Sequence, residues 1–244
     1  MVEPLRRPIE PFDCIAQAQR MIAPQYWLFV ALAAVTYLLG SIVPFYLLLG
    51  PLACGMHLCF RAAVRSERAS FDLLFKGFDW FGQCAIASLV ALLPTLVLTL
   101  LMYFGFVVAM LSASEWGESD PPTALLVAYV AVVLVIGALS GIVLLVLMLA
   151  YPLIVDHELS GIDALKKGAA AVLTNFGGLL GLGVLLTLGG AVSVLLCVFP
   201  FFLFLPIAFG AIEIAYRKLF PIAKDRLSQS TDVEREGAAG WGSG

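Results

Sequence analysis

The sequence predicts an all-α, polytopic membrane protein: six transmembrane helices arranged as three hairpins, with short interfacial amphipathic helices on the cytoplasmic face. Three observations carry this reading. Of the 244 residues 61% are hydrophobic and only 13% charged, with a mean hydropathy of +1.00, which excludes a soluble globular domain. The apolar residues are gathered into runs long enough to cross a hydrocarbon layer of about 30 Å, which takes roughly 20 helical residues. Finally, all 14 Lys and Arg fall in segments that six crossings place on one side of the bilayer. With 17 acidic residues the net charge is −3, so the broad basic surface that nucleic acid requires is absent and lipid is the expected partner.

Residues 1–25 read as a cytoplasmic segment containing an interfacial helix. They carry Glu3, Glu10, Asp13, Arg6, Arg7 and Arg20 before the first apolar run opens at Tyr26-Trp27, too late and too long for a signal-peptide core. Residues 26–220 read as the six-helix membrane domain. Between Trp27 and Phe60 there is no Asp, Glu, Lys or Arg, and Pro44 divides that stretch into short spans near 26–43 and 45–62. Spans three and four, about 83–111 and 123–150, would each be about 42 Å long if fully helical, so they must tilt, kink or project. Spans five and six, about 176–198 and 201–217, are separated at Pro200, which suits a tight outer turn.

Orientation follows from the cations, because Lys and Arg near span ends are retained in the cytoplasm. Arg6, Arg7 and Arg20 precede span one, and Arg61, Arg65, Arg68 and Lys76 lie between spans two and three. Lys166 and Lys167 separate spans four and five, and Arg217, Lys218, Lys224, Arg226 and Arg235 follow span six. The opposite loop, Ser112 to Pro122, holds Glu115, Glu118 and Asp120 and no cation. Both termini are therefore expected inside. A five-span alternative, with 27–60 as one span plus a re-entrant piece near Gly50-Pro51, would split the basic segments between the two faces. The polar, Gly-rich residues 221–244 read as a disordered cytoplasmic tail.

Each hairpin is preceded by an amphipathic stretch: Phe12 to Ile15, Phe71 to Gly77, and Ile162 to Gly168. The last two share Asp-x-x-x-Lys-Gly, whose acid and base complement a short helix dipole and whose Gly would let the chain turn into the membrane. Gly137-x-x-x-Gly141 and Gly177-x-x-x-Gly181, with Ala85, Ser88 and Ala91 in span three, read as helix-packing positions within the chain or between copies. The five cysteines lack zinc-type spacing and read as small core residues rather than disulfide partners.

Ionisable residues inside a span are costly and mark candidate sites. His57 lies one helical turn inside Arg61, and Glu213 one turn inside Arg217, at similar depth below the inner surface. If spans two and six pack, His57 and Glu213 could share a proton while Arg61 and Arg217 form a cationic mouth for an anionic head group. The plainer reading is an i, i+4 pair from Glu213 to Arg217 and a hydrogen-bonded core histidine. Asp156-His157-Glu158 has metal-ligand composition, but successive helical residues face different ways, so no metal or other cofactor is expected. Arg65, Arg68, Lys76, Lys166 and Lys167 read as contacts for lipid head groups at the inner leaflet. No catalytic or phosphate-binding motif occurs, so no enzyme activity is expected.

Several segments taken together carry a family likeness: Gly50-Pro51-Leu52-Ala53-Cys54-Gly55, Phe71-Asp72-Leu73-Leu74-Phe75-Lys76-Gly77-Phe78, Tyr151-Pro152-Leu153-Ile154-Val155-Asp156, Gly161-Ile162-Asp163-Ala164-Leu165-Lys166 and Ala215-Tyr216-Arg217. Over residues 12–220 the chain resembles the YciC-like bacterial inner-membrane proteins, similar in turn to the membrane domain of some glycerophosphoryl diester phosphodiesterases. The resemblance implies a six-helix bacterial inner-membrane protein, some relatives being linked to bacteriocin self-immunity. It brings no phosphodiesterase domain and no functional residues. The functional expectation is binding or movement of a lipid or small amphiphile; the alternative is a structural protein acting through homo-oligomers and membrane shape.

Overall fold

The computed structural model describes residues 4–5, 8–42, 48–112, 123–196 and 198–220, and the described elements are all helical. The division at Pro44, the acids Glu115, Glu118 and Asp120, Arg6, Arg7, Cys197 and the tail from 221 lie outside the described residues. In chain order the helices are α1 (Pro11–Ile22), α2 (Tyr26–Ile42), α3 (Leu49–Val64), α4 (Phe71–Lys76), α5 (Phe81–Ser112), α6 (Thr123–His157), α7 (Gly161–Thr174), α8 (Phe176–Leu196) and α9 (Val198–Leu219). Single 3-10 turns join α1 to α2 and α4 to α5.

Five continuous helical runs among the described residues are long and apolar enough to cross a membrane: Pro11–Ser41, Phe71–Val108, Tyr129–His157, Phe176–Leu196 and Phe199–Leu219. These correspond to expected spans one, three, four, five and six. The expected second span is different. Helix α3 has 16 residues, about 24 Å, short of a full hydrocarbon layer. It is buried along most of its length, including Leu52, Cys54, Met56 and Cys59, and packs against α2, α4, α5 and α6. It is a central strut with little surface left for lipid.

All three expected amphipathic stretches are helical. Helix α1 buries Cys14, Ala18 and Ile22, one face at a spacing of four, against α9. Its Asp13 accepts a hydrogen bond from Lys218 at 2.6 Å. Helices α4 and α7 begin on serine caps: Ser70 Oγ accepts from Leu73 N at 3.3 Å and Ser160 Oγ from Asp163 N at 3.2 Å, each relieving an amide the first turn leaves unpaired.

The glycines of the shared Asp-x-x-x-Lys-Gly motif serve a purpose other than the expected turn. Gly77 closes α4 with ordinary helical torsions, and a methyl there would strike the Pro51 carbonyl and the Gly55 backbone of α3. Gly55 in turn faces the Leu74 carbonyl without room for a side chain, so α3 and α4 meet backbone to backbone. Gly168 lies inside α7, which continues to Thr174, and a methyl there would sit 2.9 Å from the Val146 carbonyl.

Two further boundaries differ from expectation. Pro200 lies in the first turn of α9, where its missing amide costs no helical hydrogen bond. Helix α6 runs through Pro152 to His157, past the expected end of span four near 150, and carries Asp156 on its last turn. The core is concentrated where α3, the second half of α6, α7 and the end of α9 meet, around Tyr151, Ile154, Ala215 and Tyr216. A second cluster packs α2 and α4 on the other flank of α3, with Phe29 stacked on Phe60 at 5.0 Å.

Candidate functional site

Three helices bring their ionisable residues to one point. His57 comes from α3, Asp156 from α6 and Glu213 from α9, with side-chain exposures of 1–3%. His57 Nδ1 lies 2.7 Å from Glu213 Oε2 in a hydrogen bond. On the other side of the ring, Nε2 lies 3.0 Å from Asp156 Oδ2. That second contact makes no hydrogen bond and is a charge pair when the ring is protonated. Only the doubly protonated ring could present an N–H to each carboxylate; the neutral ring would set a lone pair against one of them.

Each carboxylate also holds a cation nearer the surface. Arg61 Nη1 donates to Asp156 Oδ1 at 2.8 Å, and Arg217 Nε donates to Glu213 Oε1 at 2.7 Å. Their side chains are 29% and 17% exposed, so the chain of charges runs from a buried imidazole to two partly wetted guanidinium groups. Tyr216 completes the shell: its hydroxyl donates to Asp156 Oδ2 at 3.0 Å, and its ring packs edge-on against His57 at 5.5 Å between centroids. Counting formal charges, two arginines balance two carboxylates, and His57 decides whether the cluster is neutral or carries one positive charge.

The expected proximity of His57 and Glu213 is present, and so is the placement of Arg61 and Arg217 outside them. Asp156 and Tyr216 were not anticipated as members. Asp156 was visible as an acid at the inner end of an apolar run, the same signal that singled out Glu213, but its neighbours His157 and Glu158 diverted it toward metal chemistry. The three do not converge. Asp156 turns inward, His157 ends α6, and Glu158 takes a φ of 49° in the following turn. Among the described residues no group of three or more His, Cys, Asp or Glu is placed to hold a metal ion.

Beside the cluster lies a cavity of about 20 Å³, bordered by Met56, Phe60, Met148, Phe209 and Ile212 together with His57 and Glu213. That is room for a single water molecule. A wider depression of about 410 Å³ lies between Pro8-Ile9 and the α7–α8 junction; among the described residues no ionisable side chain lines it. Arg217 Nη2 is buried without a hydrogen-bond partner among the described residues, a charged donor with unused capacity.

The remaining expected positions divide clearly. Arg65, Arg68, Lys76 and Lys166 are exposed, and Lys167 is half-buried. Gly137, Gly141 and Gly177 have no atom of another segment within 4 Å of where a Cβ would stand, and Gly181 meets only Pro11, at 3.3 Å. Close helix approach within the chain uses other small residues: a methyl on Gly50 would meet Cys84 Cβ at 2.9 Å, opposite the buried Ser88 of the expected span-three stripe.

Comparison of the chain with protein families, with curated proteins and with solved structures finds no match.

Proposed function

We propose that this multi-pass membrane protein is a non-catalytic component of the bacterial inner membrane, with both termini cytoplasmic, that binds or moves a lipid or small amphiphile carrying an anionic head group. The observation that carries the proposal is the buried sequence of charges from Arg61 through Asp156, His57 and Glu213 to Arg217. Buried charges within a membrane bundle are retained at a cost and mark sites of binding or charge movement. Here each outer guanidinium is neutralised by a carboxylate that also faces His57. An arriving phosphate or carboxylate head group can take over an arginine in bidentate fashion, and the displaced carboxylate still has the imidazole as partner. The unused Nη2 of Arg217 supplies a donor for that exchange. The cavity holds no more than a water, so binding requires the two arginine arms to open toward the inner leaflet.

The test is native mass spectrometry of the full chain extracted in mild detergent, reading copy number and retained mass. An anionic lipid retained per copy, and lost in Glu213→Gln and His57→Ala while helical content persists, is the expected result. Retention unchanged in both variants, or no retained lipid at all, overturns the proposal.

A second reading, assembly through homo-oligomers, is favoured by the open faces at Gly137, Gly141 and Gly177. Small residues where a side chain would meet nothing among the described residues suit close approach by another copy. Under that reading Gly141→Leu changes the copy number in the same spectrum and leaves retained mass unaffected.

A further inference from the structure

Four cysteines fall among the described residues, all buried. Two have ordinary surroundings: Cys14 Sγ accepts from Lys218 at 3.8 Å, and Cys59 donates to the Ser70 carbonyl at 3.5 Å. The other two face each other. Cys54 of α3 and Cys84 of α5 are fully buried with their sulfurs 3.1 Å apart. A disulfide bond of about 2.05 Å needs the sulfurs to close by only about 1 Å more.

The close approach is built by the helices that carry the pair. Gly50, one turn before Cys54, lets α5 come near enough that a methyl on it would sit 2.9 Å from Cys84 Cβ. Ser88, one turn after Cys84, donates to the Cys84 carbonyl at 2.8 Å and shares a hydrogen bond with the Tyr151 hydroxyl at 2.9 Å. Cys54 also reaches the Tyr151 carbonyl at 3.6 Å. Helices α3, α5 and α6 are thus pinned around the two sulfurs, and each thiol has the other as its nearest reactive neighbour.

We infer that Cys54 and Cys84 form an oxidisable dithiol, a modification site that closes to a disulfide between α3 and α5 on exposure to a small uncharged two-electron oxidant of the peroxide class. Enclosure excludes bulky or charged oxidants. One sulfur attacks a peroxide oxygen, the O–O bond breaks, and one water leaves behind a sulfenic acid. The second sulfur then attacks that sulfur, the S–O bond breaks, and the departing hydroxyl takes up the second thiol proton as water. The sum is two thiols and hydrogen peroxide giving one disulfide and two waters, with two electrons passing from sulfur to oxygen. Because Cys54 lies one turn from His57, the bond would tie the imidazole-bearing helix to α5.

The test uses the full chain in mild detergent treated with hydrogen peroxide and, separately, with molecular iodine, an apolar oxidant that enters lipid. After acid quenching, denaturation and maleimide labelling, intact mass and a non-reducing peptide map are read. The expected result is a fall from five labels, one per cysteine, to three, with a Cys54–Cys84 linked peptide that a phosphine reductant removes and Cys84→Ser never forms. Five labels after both oxidants, a sulfinic product without a link, or a link through Cys14, Cys59, Cys197 or a second copy overturns it.

Discussion

The two ends of the α5–α6 pair are almost equally apolar and behave as different materials. Toward the chain of charges, α6 buries Leu147, Leu149, Ala150, Tyr151, Leu153 and Ile154, and α5 buries Cys84, Ala87 and Ser88. Toward the opposite end, Leu93, Leu101 and Phe104 of α5 and Val127, Leu134 and Leu139 of α6 are exposed, and the two helices have chiefly each other, as in the Phe106–Tyr129 ring contact at 5.0 Å. Lipid tails are as apolar as leucine, so apolar side chains gain little by leaving them. What binds one end into a bundle is therefore its polar and small residues: the His57 cluster, the Ser88–Tyr151 hydrogen bond, and the glycine contacts of α3 with α4.

That contrast can be broken most strongly at Asp156. Asp156→Ala leaves His57, Arg61 and Tyr216 without their shared acceptor, and thermal unfolding in detergent is expected to show a loss on the order of 3–5 kcal/mol, as for other broken buried ion pairs. Gly55→Ala forces α4 away from α3; overpacking against backbone is expected to cost about 3 kcal/mol in the same assay. Tyr216→Phe removes one hydroxyl donor to a carboxylate and keeps the ring, for an expected loss of about 1.5 kcal/mol. Ser70→Ala removes the cap of α4 and is expected to cost about 1 kcal/mol. Leu139→Ala, on the lipid-facing end, sharpens the comparison from below. It is expected to stay within about 0.5 kcal/mol of the unmodified protein, and a loss comparable to Gly55→Ala would mean that this end is packed after all.

The same contrast explains which parts of the molecule were legible beforehand. Helix positions followed from runs of apolar residues interrupted by charge, and the amphipathic helices from Asp and Lys at their ends. The pairing of His57 with Glu213 was legible because each lies one turn from an arginine, which sets depth. Asp156 was harder to see, since nothing local reveals which of the successive residues Asp156, His157 and Glu158 turns inward toward α3 and α9. The glycines were the least legible. Gly137-x-x-x-Gly141 has the ideal spacing, yet a side chain there would meet nothing among the described residues, whereas Gly55 and Gly77, isolated in sequence, lie directly against backbone. Spacing reveals a smooth helix face; only the fold decides what lies against it. The shortness of α3 was legible, but its burial among α2, α4, α5 and α6 was not, because burial depends on neighbours distant in sequence.

The direct backbone contact of Gly55 with Leu74 and of Gly77 with Pro51 has a mechanical meaning. Slack connections absorb displacement, but two helices in such contact transmit it as one body. Helix α4 presents Phe71 and Phe75 outward, and a displacement of that helix is passed directly to α3, on which His57 lies two residues beyond Gly55.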